Sequence, residues 1–196
     1  MLEFMIAVFF LLITPGPGVL STAGVGAAFG FRAGFSYLAG LCVGGGLTML
    51  MVISGLAAIV LAVSWLRTVL LIASVSYLVY LAWRVASAGS KIGFIPAPKP
   101  LGFRNGFALQ LINPKAYVVA TTLFSGFAFL PEAMFWETVI KLILFNAIWI
   151  PVHLLWLGAG VKLGSLDLSR RTQRKINMGM AAAMLIVVAT ALLAMP

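Results

Sequence analysis

The stretch Thr14-Pro15-Gly16-Pro17-Gly18 interrupts the first long apolar run of the chain. Its two prolines remove two backbone donors, and a proline inside a helix leaves the carbonyl group four residues earlier without a helical partner. The carbonyl groups of Leu11 and Ile13 are therefore predicted to be unpaired. Because Thr is a good N-cap and proline is well tolerated at the first position of a helix, the stretch predicts a half-helix that begins with Thr14 as its cap.

A second interruption, Asn113-Pro114-Lys115, lies inside an apolar run of the second half of the chain. Leu12-Ile13-Thr14-Pro15 aligns with Leu111-Ile112-Asn113-Pro114, and Asn is also a good N-cap. The sequence therefore predicts two helices broken at matching places, with the carbonyl group of Gln110 unpaired before the second break. The alternative is that the prolines only kink two helices, which membrane proteins tolerate.

The composition is that of an integral membrane protein. Of the 196 residues, 63% are hydrophobic and 9% are charged, and the mean hydropathy is +1.14. A soluble protein needs a more polar surface, whereas apolar stretches of roughly 20 residues are long enough to cross a bilayer as helices. The net charge of +9 comes mainly from two basic loops, as the positive-inside rule expects, so it does not indicate nucleic-acid binding. The single cysteine, Cys42, excludes an internal disulfide.

Six membrane-spanning helices are predicted in a single membrane domain, 1–196. Their approximate bounds are 3–29, 35–63, 68–83, 103–130, 134–157 and 176–195. A polar, proline-rich stretch divides them into repeat one at 1–86, a cytoplasmic loop at 87–102 and repeat two at 103–196. Because each repeat has an odd number of spans, the two enter the membrane from opposite sides, as in many secondary transporters. The excess of Lys and Arg in the loops after the first, third and fifth spans places those loops in the cytoplasm and both termini outside.

Lys115 is the only charged residue that is predicted to lie well inside a span. An ammonium group in hydrocarbon costs on the order of 3 kcal/mol on insertion scales, whereas beside a helix N-terminus it suits a carboxylate ligand. The alternatives are a lysine that reaches the interface or a structural clamp on the break. With unpaired carbonyl groups for an ammonium group, the breaks suit a zwitterion. The predicted substrate-binding residues are Thr14, Pro15, Gly16, Pro17, Asn113, Pro114 and Lys115.

His153 and Asn146, both in the fifth predicted span, are candidates for proton coupling. His153 is the only histidine and can titrate near neutral pH, although a buried packing role is the alternative. Asn146 can bond across helices or line the path. No Asp or Glu is predicted deep in a span. The sequence contains no metal-ligand cluster, nucleotide-binding loop or nucleophile–base pair, so we expect no cofactor, no metal and no catalytic residue in a protein that is not an enzyme.

Several motifs occur in a fixed order along nearly the whole chain. They are Pro15-Gly16-Pro17, then Gly34, Gly40 and Gly44, then Gly55-Leu56, Tyr77-Leu78-x-Tyr80-Leu81-x-x-Arg84, Phe103-x-x-Gly106 and Asn113-Pro114-Lys115-Ala116. This ordered set resembles the LysE/RhtB family of bacterial amino-acid exporters (threonine/homoserine/lysine efflux type). The resemblance implies a secondary transporter that exports amino acids or related small zwitterions across the inner membrane, driven by the ion gradient. It also implies Pro15, Gly16, Pro17, Asn113, Pro114 and Lys115 as the core of the site.

The alternative function is a membrane subunit whose basic loops dock a cytosolic partner. The partners expected for an exporter are a small-molecule substrate and membrane lipid, with no nucleic acid. The sequence neither predicts nor excludes a homo-oligomer.

Overall fold

The computed structural model describes residues 1–13, 16–56, 63–87, 99–166 and 169–193. Within these ranges the secondary structure is helical, with no strand. The helices are α1 (Leu2–Ile13), α2 (Pro17–Ile53), α3 (Ser64–Ser87), α4 (Phe103–Ile112), α5 (Pro114–Gly126), α6 (Met134–Ser165) and α7 (Arg170–Leu193). A 3₁₀ turn, Pro131–Ala133, leads from α5 into α6. The predicted all-α fold class is confirmed.

α2 reverses direction at Gly30, which has φ 80° and ψ −179°. In a straight helix Ser21 and Tyr37 would lie about 24 Å apart, yet the Tyr37 hydroxyl donates to Ser21 Oγ at 2.9 Å. α2 is therefore a hairpin with a first arm, 17–29, and a second arm, 31–53. Glycine suits the turn because a positive φ is strained for residues with a Cβ atom. The sequence predicted a loop at this place, around Arg32.

The two halves of the chain are in contact at glycine residues, and each half contributes some of these glycines. A methyl group built on Gly40 would lie 2.0 Å from the carbonyl oxygen of Phe103, so the second arm lies directly against α4. A methyl group built on Gly160 would lie 2.1 Å from the carbonyl oxygen of Ala23, so α6 lies equally close to the first arm. Small residues allow this approach of helix backbones. The α2 hairpin is thus the element on which both α4 and α6 pack.

A buried ion pair lies near the start of α6. Lys141 Nζ lies 2.7 Å from Glu137 Oε1, and the two residues are 2% and 8% exposed. Lys141 also donates to the carbonyl oxygen of Phe124 at 3.2 Å, and Glu137 Oε2 accepts the backbone N–H groups of Phe129 and Leu130. The sequence had predicted Lys115 as the only charged residue well inside a span, whereas Glu137 and Lys141 are also buried among the helices. The i,i+4 spacing pairs the two charges, and the extra hydrogen bonds offset their desolvation.

Aromatic side chains join α1 to the connection between α5 and α6. The fully buried Phe4 makes edge contacts with Phe127 and Phe129, with ring centroids 6.1 Å and 6.2 Å away. The ammonium group of Lys141 lies 5.6 Å from the centroid of the Phe129 ring. This connection is therefore held by α1 on one side and by the ion pair of α6 on the other.

The helix bounds differ from the predicted spans at several ends. α6 continues to Ser165 and α7 begins at Arg170, because a helix continues past its apolar stretch when its charged residues reach solvent. α2 ends at Ile53, followed by Gly55 at φ 77°. Residues 57–62, and most of the predicted loop 87–102, lie outside the described residues. By length and composition, Pro17–Ile53 and Pro131–Ser165 are each apolar enough to cross a membrane.

Candidate functional site

The first interruption separates α1 from α2, and it begins the new helix later than predicted. α2 begins at Pro17, with Gly16 as its extended N-cap at φ −149° and ψ 177°. The prediction of Thr14 as cap and Pro15 as first helical residue is therefore wrong for α2. The residue before a proline is disfavoured in the helical region, so Gly16 cannot continue a helix into Pro17. Thr14 and Pro15 themselves lie outside the described residues.

The second interruption separates α4 from α5 at Asn113, which has φ −78° and ψ 105°. The Asn113 Oδ1 atom accepts the backbone N–H of Lys115 at 3.1 Å, so the predicted N-cap is confirmed, with Pro114 at the first helical position. The carbonyl group of Gln110 accepts the Asn113 N–H at 3.3 Å. The prediction of an unpaired Gln110 carbonyl is wrong, because a tight turn at the break closes on it.

The two interruptions meet through Lys115 and Gly16. A methyl group built on Gly16 would lie 2.9 Å from both Cδ and Nζ of Lys115. The backbone of Gly16 is extended, a conformation open to any residue, so glycine is needed here for space rather than for its dihedral angles. The lysine of the second interruption thus lies directly over the cap of the first.

The start of α2 offers backbone donors beside this lysine. The N–H of Leu20 is the first that bonds back along α2, to the carbonyl oxygen of Gly16 at 3.1 Å. The N–H groups of Gly18 and Val19 come before it and have no acceptor within the helix. Gly16 has no side chain that could cap them. The ammonium group of Lys115 therefore lies beside the N-terminus of α2, an arrangement that favours an anion.

A cavity lies where the interruptions meet. Residues of α1, α2, α4, α5 and α6 line it. Its polar side chains are Thr48, Gln110, Asn113, Lys115 and His153. The sequence had singled out only the last three, because Thr48 and Gln110 lie in apolar runs without a proline to mark them.

His153 presents a hydrogen-bond acceptor to the cavity. The side chain is 5% exposed, and its ring is stacked on Trp149 with centroids 3.7 Å apart. Nδ1 lies 2.9 Å from the carbonyl oxygen of Trp149. A carbonyl only accepts, so this bond assigns the proton of the neutral ring to Nδ1 and leaves Nε2 as an acceptor. Nε2 lies 3.5 Å from a methyl group built on Gly18, close to the start of α2.

Three of the other predicted residues do not line the cavity. Pro17 and Pro114 begin α2 and α5 without lining the cavity. Asn146 does not line it either, and its amide donates to the carbonyl oxygen of Leu142 in its own helix at 2.8 Å. Gly16, Asn113 and Lys115 are the predicted binding residues that the fold brings together around the cavity.

Comparisons with known proteins agree on one family. The family model described as LysE type translocator matches residues 9–195. The chain is 32% identical to the cysteine/O-acetylserine efflux protein of Escherichia coli (strain K12), over 67% of this chain and 68% of that protein. It is 30% identical to the protein of the same name from Salmonella typhi, with the same coverage. No solved structure matches the chain at a significant level.

Proposed function

The chain belongs to the family of LysE type translocators, and from this membership we propose that it exports a small amino acid or a closely related zwitterion. Export runs from the cytoplasm across the bacterial inner membrane. The names of its relatives, which are cysteine/O-acetylserine efflux proteins, support this substrate class. The observation that carries the proposal is the cavity in which Lys115 lies over the start of α2.

The proposed architecture has six spans in two inverted repeats. α1 and the first arm of α2 form span one, interrupted before Gly16, and α4 and α5 form span four, interrupted at Asn113. The second arm and α3 complete repeat one, whereas α6 and α7 complete repeat two. Both termini lie outside and the basic loops lie in the cytoplasm. The meeting of the two interruptions in one cavity supports this arrangement, because inverted-repeat transporters place substrate at the interface of their repeats.

In the proposed complex the carboxylate of the substrate binds at the start of α2. It accepts hydrogen bonds from the N–H groups of Gly18 and Val19 and from the ammonium group of Lys115. The ammonium group of the substrate donates to Nε2 of His153, which lies close to Gly18. Thr14 and Pro15 of the first interruption complete the proposed site. Export then follows from opening this site alternately to the two sides of the membrane.

Replacement of Lys115 by alanine tests this function. Purified protein in liposomes loaded with unlabelled amino acids should take up labelled substrate by exchange, and Lys115→Ala should lower the exchange at least about tenfold, because it removes a charged hydrogen-bond donor. Lys162→Ala is the matched control, since Lys162 is an exposed lysine near the end of α6. Normal exchange by a folded Lys115→Ala variant would remove Lys115 from the site.

A further inference from the structure

Gln110 is a buried polar side chain that has no hydrogen-bond partner among the described residues. It is 8% exposed and lines the cavity. Its carboxamide makes no hydrogen bond to any residue that the structure describes, although it has two N–H donors and two acceptor lone pairs. Buried polar side chains are nearly always hydrogen-bonded. An unpaired carboxamide at a cavity wall is therefore placed to bond with what enters the cavity.

Two other uncharged polar side chains of the wall, those of Thr48 and Asn113, already bond within the protein. The Thr48 hydroxyl donates to the carbonyl oxygen of Gly44 at 3.0 Å, and Asn113 Oδ1 caps α5. Both bonds serve local helix geometry. Gln110 differs because its side chain supports no helix end.

Two glycines of the second arm hold the side chain of Gln110 in place. A methyl group built on Gly44 would lie 2.9 Å from Gln110 Cβ, and one built on Gly45 would lie 3.3 Å from Nε2, 3.8 Å from Cγ and 3.9 Å from Cδ. The side chain of Gln110 therefore lies against the backbone of Gly44 and Gly45, which have no side chains. A neighbouring glycine, Gly46, has nothing within 4 Å of such a methyl group, so only one side of this glycine run faces Gln110.

We propose that the carboxamide of Gln110 binds the side chain of the substrate and selects amino acids whose side chain is small, uncharged and able to hydrogen-bond. This inference rests on the proposed export function. A carboxamide can accept a hydrogen bond from a hydroxyl or thiol group and can donate one to an ester carbonyl. A site built for such a bond discriminates against the analogue that lacks it, because the protein group is then left unpaired.

The rest of the wall fits the same class of substrate. The described lining residues include no aspartate or glutamate, so a cationic side chain would find no carboxylate there. Met49, Phe145 and Trp149 supply apolar surface for the methylene group of a short side chain. Gln110 then decides between a polar and an apolar side chain of equal size.

The test compares near-isosteric substrate pairs in the liposome exchange assay. The pairs are serine with alanine, and cysteine with 2-aminobutyrate. The wild-type protein should exchange the polar member better, and Gln110→Leu should lower this preference about tenfold by raising the KM of the polar member while the apolar member is still exchanged. An unchanged preference in a Gln110→Leu variant that exchanges substrate would overturn the proposal.

Two glycine variants give an independent measurement with the fold intact. Gly45→Ala should reduce the preference because its methyl group displaces the carboxamide by a few tenths of an ångström. Gly46→Ala adds the same methyl group on the open side of the same helix and should leave the preference unchanged. Equal preferences in these two variants would contradict the role of Gln110. Absence of exchange by the folded wild-type protein with every amino acid would contradict the export function itself.

Discussion

At the scale of single residues, the site depends on the absence of a side chain at Gly16. The neighbouring Lys115 occupies the space that a side chain at this position would take. The amino-acid sequence identified both residues from the prolines beside them. It could not predict their contact, because they lie on different helices and 99 positions apart in the chain. The sequence singled out Gln110 only for its backbone carbonyl group. Its side chain was missed for a similar reason, since only the packing of α4 against the glycines of the second arm makes it line the cavity.

Replacement of Gly16 by alanine should impair transport more than folding. The extended backbone accepts alanine, and the three atoms nearest to the new methyl group all belong to the flexible side chain of Lys115, which we expect to move away from the start of α2. We expect the KM for exchange to rise about tenfold, as for the loss of one charged hydrogen bond. The control is Gly158→Ala in α6, where a methyl group meets nothing within 4 Å. A KM that is unchanged in Gly16→Ala would show that the position of the lysine does not matter.

At the scale of helices and their ends, local rules predicted some features and tertiary packing decided others. Asn113 followed by Pro114 predicted the start of α5 because both preferences are local. At the first interruption two prolines offered two possible starts, and the sequence favoured the earlier one. The reversal at Gly30 was predicted as a loop around Arg32, because several glycines nearby fit a turn equally well. The partner of Glu137 was missed although the i,i+4 spacing is visible in the sequence.

Loss of the Glu137 carboxylate should destabilise the end of the bundle around Phe4. Glu137→Gln leaves Lys141 as an uncompensated buried charge and weakens the bonds to the N–H groups of Phe129 and Leu130. The melting temperature in detergent should therefore fall. The double variant Glu137→Gln/Lys141→Met should melt above the single variant, because it removes the stranded charge as well. A double variant that melts below the single variant would mean that the pair is not the source of the effect.

At the scale of the whole molecule, the cavity is the place where substrate binding and proton movement could be linked, since His153 lines it together with Lys115. We propose that export is driven by the ion gradient and that a proton and the ammonium group of the substrate compete for Nε2 of His153. Lys115 is the charged side chain among the described residues that line the cavity. Protonation of Nε2 would place a second positive charge beside it and would favour release of the substrate. Inward movement of a proton then accompanies outward movement of an amino acid.

Replacement of His153 by glutamine separates binding from coupling. His153→Gln keeps a hydrogen-bond acceptor but does not titrate, so liposomes should still exchange substrate in the absence of a gradient. Uptake driven by an imposed pH gradient should be lost, whereas the wild-type protein should accumulate substrate. Asn146→Ala is the comparison on the same helix and tests the second predicted coupling residue. Gradient-driven uptake by His153→Gln at the wild-type rate would assign the proton to another group.

The hairpin of α2 also bears on how such a protein is made. The Tyr37 hydroxyl donates a hydrogen bond to Ser21 Oγ within the hairpin. Both arms can therefore leave the ribosome and enter the bilayer with these hydroxyl groups already paired. Gly16 belongs to the same early segment. We therefore expect the surface that receives Lys115 to enter the membrane before the lysine is synthesised, so that this charged side chain does not have to pass through bare lipid.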